Sequence, residues 1–228
     1  MLRKLLAFFG IGLAAGTSAA YAGSYAPYTE QAPNQIYNLL FCDEPEGFKP
    51  RPGEAPAPWQ ATLFGEPLAV KAVEALANDP TAEGRVRALA YNRLRKEGRS
   101  VPPKQLLGVI VEVPLEDGLD VLAAFSNGGV RYINQTGKLA VFEGAPSILP
   151  AAAALLKASE GAVARLGPWD KPRLPPPEKG NIRLTFLVSD GLYFGEGPMA
   201  DMANDPLGGL VVQRATELLM LVVNTAAQ

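Results

Sequence analysis

Apolar and polar positions alternate most regularly between Leu106 and Glu143, where four strand-length segments are separated by three turns. Val109, Val111 and Val113 alternate with residues that are also mostly apolar, which is typical of a strand covered on both faces. Asp, Asn and Gly recur in the three turns and favour the backbone of tight hairpins. The segment therefore predicts an antiparallel meander of four strands, with the first strand in the interior of the sheet.

A second hairpin is predicted nearer the carboxyl end. Residues 182–188 alternate between two faces, and Asp190-Gly191 supplies a turn before a further strand that ends at Glu196. We expect this hairpin to join the same sheet.

Apolar residues at helical spacing predict a helical hairpin before the meander. Its first helix spans residues 68–76, and its second begins at Asp79-Pro80, with Asp79 as the cap, and ends at Gly98. A docking helix is predicted for residues 34–42, after a loose leader at residues 23–33.

Two more helices are predicted after the meander, at residues 146–167 and at about 207–224, the latter capped by Asp205. A proline-rich linker at residues 168–180 follows the first of them. The last helix is apolar around most of its circumference, which indicates burial or an interface.

These elements predict an α+β fold in which an antiparallel sheet, built from the four-strand meander plus the later hairpin, is packed by helices. From Leu106 onward the element order resembles that of profilin-like and roadblock-like modules, over about half of the chain. The resemblance implies a binding or dimerisation module and carries over no residue-level function. The predicted organisation is a signal peptide at 1–22, a leader and docking segment at 23–60, a helical hairpin at 61–100 and an α+β sheet domain at 104–228.

The amino terminus has the pattern of a secretory signal peptide. Arg3 and Lys4 precede an apolar run, and small residues close the segment at Ala20-Tyr21-Ala22. The pattern predicts export to the periplasm or the cell exterior, with cleavage after Ala22; an uncleaved anchor is the alternative.

Composition removes many functional classes. The chain has no histidine, so Ser-His-Asp and Cys-His catalysis and histidine-ligated metals are excluded. Its 21 basic and 23 acidic residues give no indication of a nucleic-acid partner. No pattern indicates a cofactor, and Cys42 as the single cysteine cannot form an intramolecular disulfide.

Three short motifs carry candidate chemistry with a structural explanation beside each. Cys42 is followed by two acids that would make its thiol a poor nucleophile. Ser126 and Ser189 each lie by a hairpin turn, which accounts for both. The acidic loop from Glu196 to Asp205 offers oxygen ligands but matches no calcium-loop spacing. We therefore assign no catalytic residue and no metal site.

A basic surface is predicted on the second helix of the hairpin. We take Arg85, Arg93 and Lys96 as candidate binding residues for an anionic partner. The competing interpretation is a solvated face whose residues, including Arg87 and Arg95, could be replaced without loss of stability.

Two functional classes remain. The lack of a recognisable set of catalytic residues in the sequence favours an exported, non-enzymatic binding or protein-interaction module for a protein or small ligand. The alternative is a histidine-free hydrolase or carbohydrate-active enzyme, which needs two acids facing one another across a cleft. The sheet-associated candidates are Glu112, Asp120, Glu143, Asp190 and Glu196.

The last helix has two interpretations as well. A homodimer could form through it, because residues 218–223 hold more apolar groups than one stripe. It could equally be buried within the monomer, between the sheet and the predicted helical hairpin.

Overall fold

The computed structural model describes residues 24–226. Its strands are β1 (Leu106–Pro114), β2 (Leu119–Phe125), β3 (Val130–Ile133), β4 (Leu139–Phe142), β5 (Asn181–Val188) and β6 (Gly191–Pro198). The seven α-helices of these residues are α1 (Gln31–Leu40), α2 (Pro58–Phe64), α3 (Val70–Asn78), α4 (Gly84–Lys96), α5 (Leu149–Arg165), α6 (Met199–Asn204) and α7 (Gly208–Ala226), with a short 3-10 helix at Pro45–Phe48.

The six strands form one antiparallel sheet in the order β4-β3-β2-β1-β5-β6. The meander β1 to β4 and the hairpin β5–β6 meet along β1, which pairs with β2 on one side and with β5 on the other. The predicted α+β class, with a meander and a later hairpin in one helix-packed sheet, is confirmed.

Helices cover both faces of the sheet, because residues of both faces of its central strands are apolar. The amino-terminal helices cover the first face, where one core joins Tyr37, Leu40, Phe41, Leu89, Tyr91, Ile110, Val121 and Phe125. Helices α5 and α7 cover the second face, where the other core joins Val109, Leu155, Leu184, Phe186, Val211, Leu218 and Val222. Helix α7 therefore lies on the opposite side of the sheet from α3 and α4, and the prediction that it is buried between them and the sheet is wrong.

The amino-terminal segment is part of the fold. Tyr28 is buried, and its hydroxyl donates to the carbonyl of Leu119 at 3.0 Å. The side-chain amide of Asn38 donates to the carbonyl of Tyr25 at 2.7 Å. The prediction of a loose leader is therefore wrong for residues 24–33, since Tyr28 fastens the segment to the sheet and Asn38 fastens it to α1. The predicted signal peptide lies outside the described residues.

Other helix limits also differ from prediction. Helix α4 begins at Gly84 and not at Asp79-Pro80, because the Asp79 carboxylate accepts hydrogen bonds from the amide and hydroxyl of Thr81 and closes a turn. Helix α7 begins where Asp205 was predicted to cap it, with Oδ1 accepting from the amides of Leu207 and Gly208 at 2.8 and 2.6 Å. Helices α2 and α6 were not predicted.

Between residues 24 and 226 we find no helix with both the length and the apolar character that a membrane span requires.

Candidate functional site

Glu112 is the centre of a buried group of charged residues on the first face of the sheet. It is 0% exposed, and the Tyr37 hydroxyl donates to its Oε1 at 2.7 Å. Strand register pairs Glu112 with Arg183, and Arg183 with Glu196, on three neighbouring strands. Directly paired residues point to the same side of a sheet, so the three side chains meet.

One guanidinium joins the two acids of this group. Arg183 contacts Oε2 of Glu196 through Nε at 2.7 Å and Nη2 at 2.5 Å, and its Nη1 lies 3.8 Å from Oε2 of Glu112. Burial raises the pKa of Glu112, an effect that the Tyr37 hydrogen bond and Arg183 oppose. Because Glu112 is fully enclosed, it cannot contact a substrate in this conformation.

A second buried arginine ties the linker to α1. The Arg173 side chain donates to Oδ2 of Asp43 and to Oδ1 of Asn38, each at 2.8 Å. The Arg173 guanidinium lies 4.0 Å from the centre of the Phe41 ring, and the backbone carbonyl of Arg173 accepts from the Tyr25 hydroxyl at 2.7 Å. These contacts hold the segment between α5 and β5 against α1 and the residues on either side of it.

A shallow depression opens above Arg183. Trp169 and Phe194 stand edge to face at its rim, with ring centres 5.0 Å apart. Its lining is Trp169, Arg173, Leu174, Arg183, Thr185, Leu192 and Phe194, and its volume of about 20 Å³ is close to the minimum that holds one water molecule. The depression does not offer room for a sugar ring or a peptide side chain.

The other acids proposed from the sequence lie apart from this group. Asp120 accepts hydrogen bonds from the Tyr132 hydroxyl and the Gln135 amide at 2.7 and 2.6 Å. Asp190 accepts from the Tyr193 hydroxyl at 2.9 Å. Glu143 pairs with the buried Arg131. Of the five candidates, only Glu112 and Glu196 converge, and they converge on an arginine.

The predicted basic surface is only partly at the surface. Arg85 is 7% exposed; its Nη2 lies 2.5 Å from Oε1 of Glu83, and its guanidinium lies 5.5 Å from the centre of the Phe125 ring. Arg87 is 5% exposed and donates from Nε to the carbonyl of Ala77 at 3.0 Å. The expectation of a solvated face is wrong for these two residues, because Arg85 pairs with Glu83 beside the ring of Phe125 on β2, and Arg87 donates to a carbonyl of α3.

Arg93 and Lys96 lie toward the outside. Arg93 pairs with Glu97 one turn later at 3.3 Å, and Lys96 is exposed at the end of α4. Arg95 donates to the carbonyl of Ser189 and to Asn92. Because Arg85 is enclosed, the three candidate binding residues do not form one accessible surface, and a binding role for Arg93 and Lys96 stays a prediction.

The remaining motifs have structural partners. Cys42 is buried, and burial raises the pKa of its thiol. The Ser189 hydroxyl donates to the carbonyl of Pro102 and accepts from the amide of Gln105. Within residues 24–226 no three acids or cysteines gather as a cation site would need, and the loop after Glu196 forms the short helix α6.

The outer face of α7 carries several exposed apolar residues. Its inner face, with Val211, Leu218 and Val222, is buried against the second core. The exposed apolar residues of the helix are Leu210 at 47%, Met220 at 62%, Leu221 at 41% and Val223 at 45%, and Leu207, just before the helix, is 37% exposed. Two charged residues, Arg214 and Glu217, lie between these groups and pair with one another at 2.6 Å.

No protein-family model, curated protein or solved structure matches the chain.

Sequence reasoning missed the residues that organise the buried group. Arg173 and Arg183 were not among the candidates, although a signal existed: Glu112 lies in a strand whose two faces are predicted to be covered. An acid in such a strand needs an internal partner, and Arg183 is the basic residue of the other apolar strand.

Proposed function

We propose that the protein is an exported, non-enzymatic interaction module whose partner binds the outer face of α7. The observation that carries this proposal is the set of large apolar residues exposed on a helix whose other face is already buried. Scattered exposed leucines are ordinary, but several on one helix are typical of a binding surface.

The buried charges support the non-enzymatic part of the proposal. General acid–base chemistry requires a carboxyl group within hydrogen-bond reach of the substrate. Glu112 has no exposed surface, and the Arg183 guanidinium contacts the carboxylates of both Glu112 and Glu196. These acids stabilise the contact between strands and α1 instead of facing a cleft.

A carboxylate-dependent hydrolase is the second candidate, and one observation favours it: the pKa of Glu112 is raised beside a second acid, a combination found in glycosidases. Hydrolysis at these acids would require Arg183 and the linker to move away from both of them. Glu196→Gln should then abolish hydrolysis of a panel of aryl glycosides and esters; the interaction proposal expects no hydrolysis to begin with.

The test of the proposal is the native mass of the protein in extracts of cells that export it. The double variant Met220→Gln/Leu221→Gln removes two exposed apolar residues, and Lys157→Gln/Glu160→Gln changes two exposed residues of α5 as a matched control. We expect the unmodified and control proteins to migrate in a complex and the α7 variant to migrate as a monomer. Monomeric migration of all three at physiological concentration would contradict the proposal.

A further inference from the structure

We infer that the partner of α7 is a second copy of this chain, bound with the two α7 helices antiparallel. This inference rests on the proposed function and names the partner at the same surface. It comes from the order of charged and apolar residues along one stripe of the helix.

Leu210, Arg214, Glu217 and Leu221 are spaced by four, three and four residues, so they lie on one stripe of the helix. All four are accessible: Leu210 and Leu221 are 47% and 41% exposed, and the side chains of Arg214 and Glu217 are 39% and 44% exposed. The stripe therefore presents an ion pair between two leucines on an outward surface.

The stripe is complementary to itself when it is read backwards. A two-fold axis through its midpoint, between Ala215 and Thr216, places each residue opposite its mirror position. Leu210 then faces the partner's Leu221, and Arg214 faces the partner's Glu217. Four leucines enclose two pairs of opposite charges in this arrangement.

Parallel pairing of the same stripe lacks this complementarity. It would set Arg214 against the partner's Arg214 and Glu217 against the partner's Glu217, and like charges in contact are unfavourable. Polar residues within an apolar seam commonly specify register and orientation in paired helices. The charges thus select the antiparallel form.

The interface should be weak to moderate in affinity. One face of a 19-residue helix is small beside the roughly 1,600 Å² of a standard protein interface. We therefore expect a dimer whose population rises with protein concentration.

Charge reversal tests the inference by sedimentation velocity on the purified full chain. Arg214→Glu alone places four acids at the axis, and Glu217→Arg alone places four arginines there, so each should weaken dimerisation about tenfold or more. The double variant Arg214→Glu/Glu217→Arg should dimerise like the unmodified protein. An equimolar mixture of the two single variants should form heterodimers, because each chain then meets only opposite charges.

Cross-linking tests the orientation. A thiol at Leu210→Cys should be joined to one at Leu221→Cys on a second chain by a short bismaleimide, whereas either variant alone should yield little dimer. The native Cys42 is buried, so we expect it not to react with the bismaleimide. Circular dichroism melting of each variant checks that the monomer remains folded.

Several outcomes would overturn the inference. A purified chain that is monomeric at all concentrations, or a charge reversal without effect on the dimer, contradicts self-pairing. Strong cross-linking of Leu210→Cys to itself indicates parallel pairing. A monomeric purified chain that still migrates in an α7-dependent complex in extracts would refute the second copy as partner while leaving the proposed function standing.

Discussion

Glu112 shows what a single buried acid does in this protein. Its carboxylate accepts from Tyr37 on α1 and lies beside Arg183 on β5, so it links the first helix to the centre of the sheet. A buried ion pair adds little net stability over apolar residues, but loss of one partner leaves the other uncompensated. We attribute to Glu112 the role of fixing α1 in one position on the sheet.

The raised pKa of Glu112 predicts the pH dependence of stability. The folded state takes up a proton at higher pH than the unfolded chain, whose glutamates titrate near ~4.3. The free energy of unfolding contributed by this group therefore rises as pH falls from above the raised pKa toward that value. Urea unfolding at a series of pH values should show this rise in the unmodified protein and a flatter profile in Glu112→Gln.

Glu112→Ala serves as the matched comparison, since it also removes the oxygen that accepts from Tyr37. It should cost about 1–3 kcal/mol more than Glu112→Gln at neutral pH. Identical pH profiles for the unmodified protein and Glu112→Gln would show that the pKa of Glu112 is the same in the folded and the unfolded chain.

The effect on stability of replacing a basic residue of α4 should depend on how deeply that residue is buried. Arg85→Glu would place a third acid beside Glu83 and Glu143 near a buried arginine, and we expect it to destabilise the fold by more than about 2 kcal/mol. Lys96→Glu, at an exposed position of the same helix, should change stability by less than about 0.5 kcal/mol. Thermal melts of the two variants decide between this account and a uniformly solvated surface.

At the scale of elements, the strands were predicted better than the helix limits. Each hairpin has a turn marked by Asp, Asn or Gly in the sequence, so the order and pairing of the strands in the meander can be predicted. Helix α4 was placed four residues too early because Asp79-Pro80 can open a helix or close a turn, and local sequence does not distinguish these. Helix α2 was missed because its start depends on the side chain of Gln60, which accepts from the Ala57 amide at 2.8 Å.

Two glycines give opposite predictions for the same substitution. A methyl group at Gly84 would lie 2.4 Å from the Leu107 carbonyl oxygen, because α4 meets β1 there. Gly84→Ala should therefore destabilise by about 1–3 kcal/mol. Gly161 lies inside α5 with open space around it, and Gly161→Ala should stabilise by roughly 0.5–1 kcal/mol. Equal effects in chemical denaturation would contradict the contact between α4 and β1.

Attachment of the amino-terminal segment also has a direct test. Tyr28→Phe removes the hydrogen bond to Leu119 and should cost about 1 kcal/mol, and Tyr28→Ala should cost about 3–5 kcal/mol because the buried ring is lost. Thr29→Ala, at the exposed neighbour, is the control. A Tyr28→Ala variant as stable as the control would mean that residues 24–30 are loosely held.

At the scale of the whole molecule, the two-sided sheet explains which part of the candidate site the sequence could reveal. An apolar surplus on the last helix is visible in the sequence, but which of its residues remain exposed depends on the second core that α5 and the sheet build beneath it. Leu218 and Val222 are buried while Leu221 and Val223 are exposed, although all four are alike in type. Likewise, Arg173 and Glu112 are 61 positions apart in the sequence, and only the packing of the linker and α1 on the sheet brings them into one group.

We propose that a partner covers the outer face of α7 in the cell. Thiol reactivity measures this coverage directly, with Leu221→Cys reporting the face and Lys157→Cys on α5 reporting an exposed position outside it; Cys42 is buried in both. In dilute purified protein both introduced thiols should react with a maleimide at similar rates. In cells that export the protein, we predict that the thiol at 221 is protected several-fold while the thiol at 157 reacts as before; equal reactivity of the two in cells would contradict a covered face.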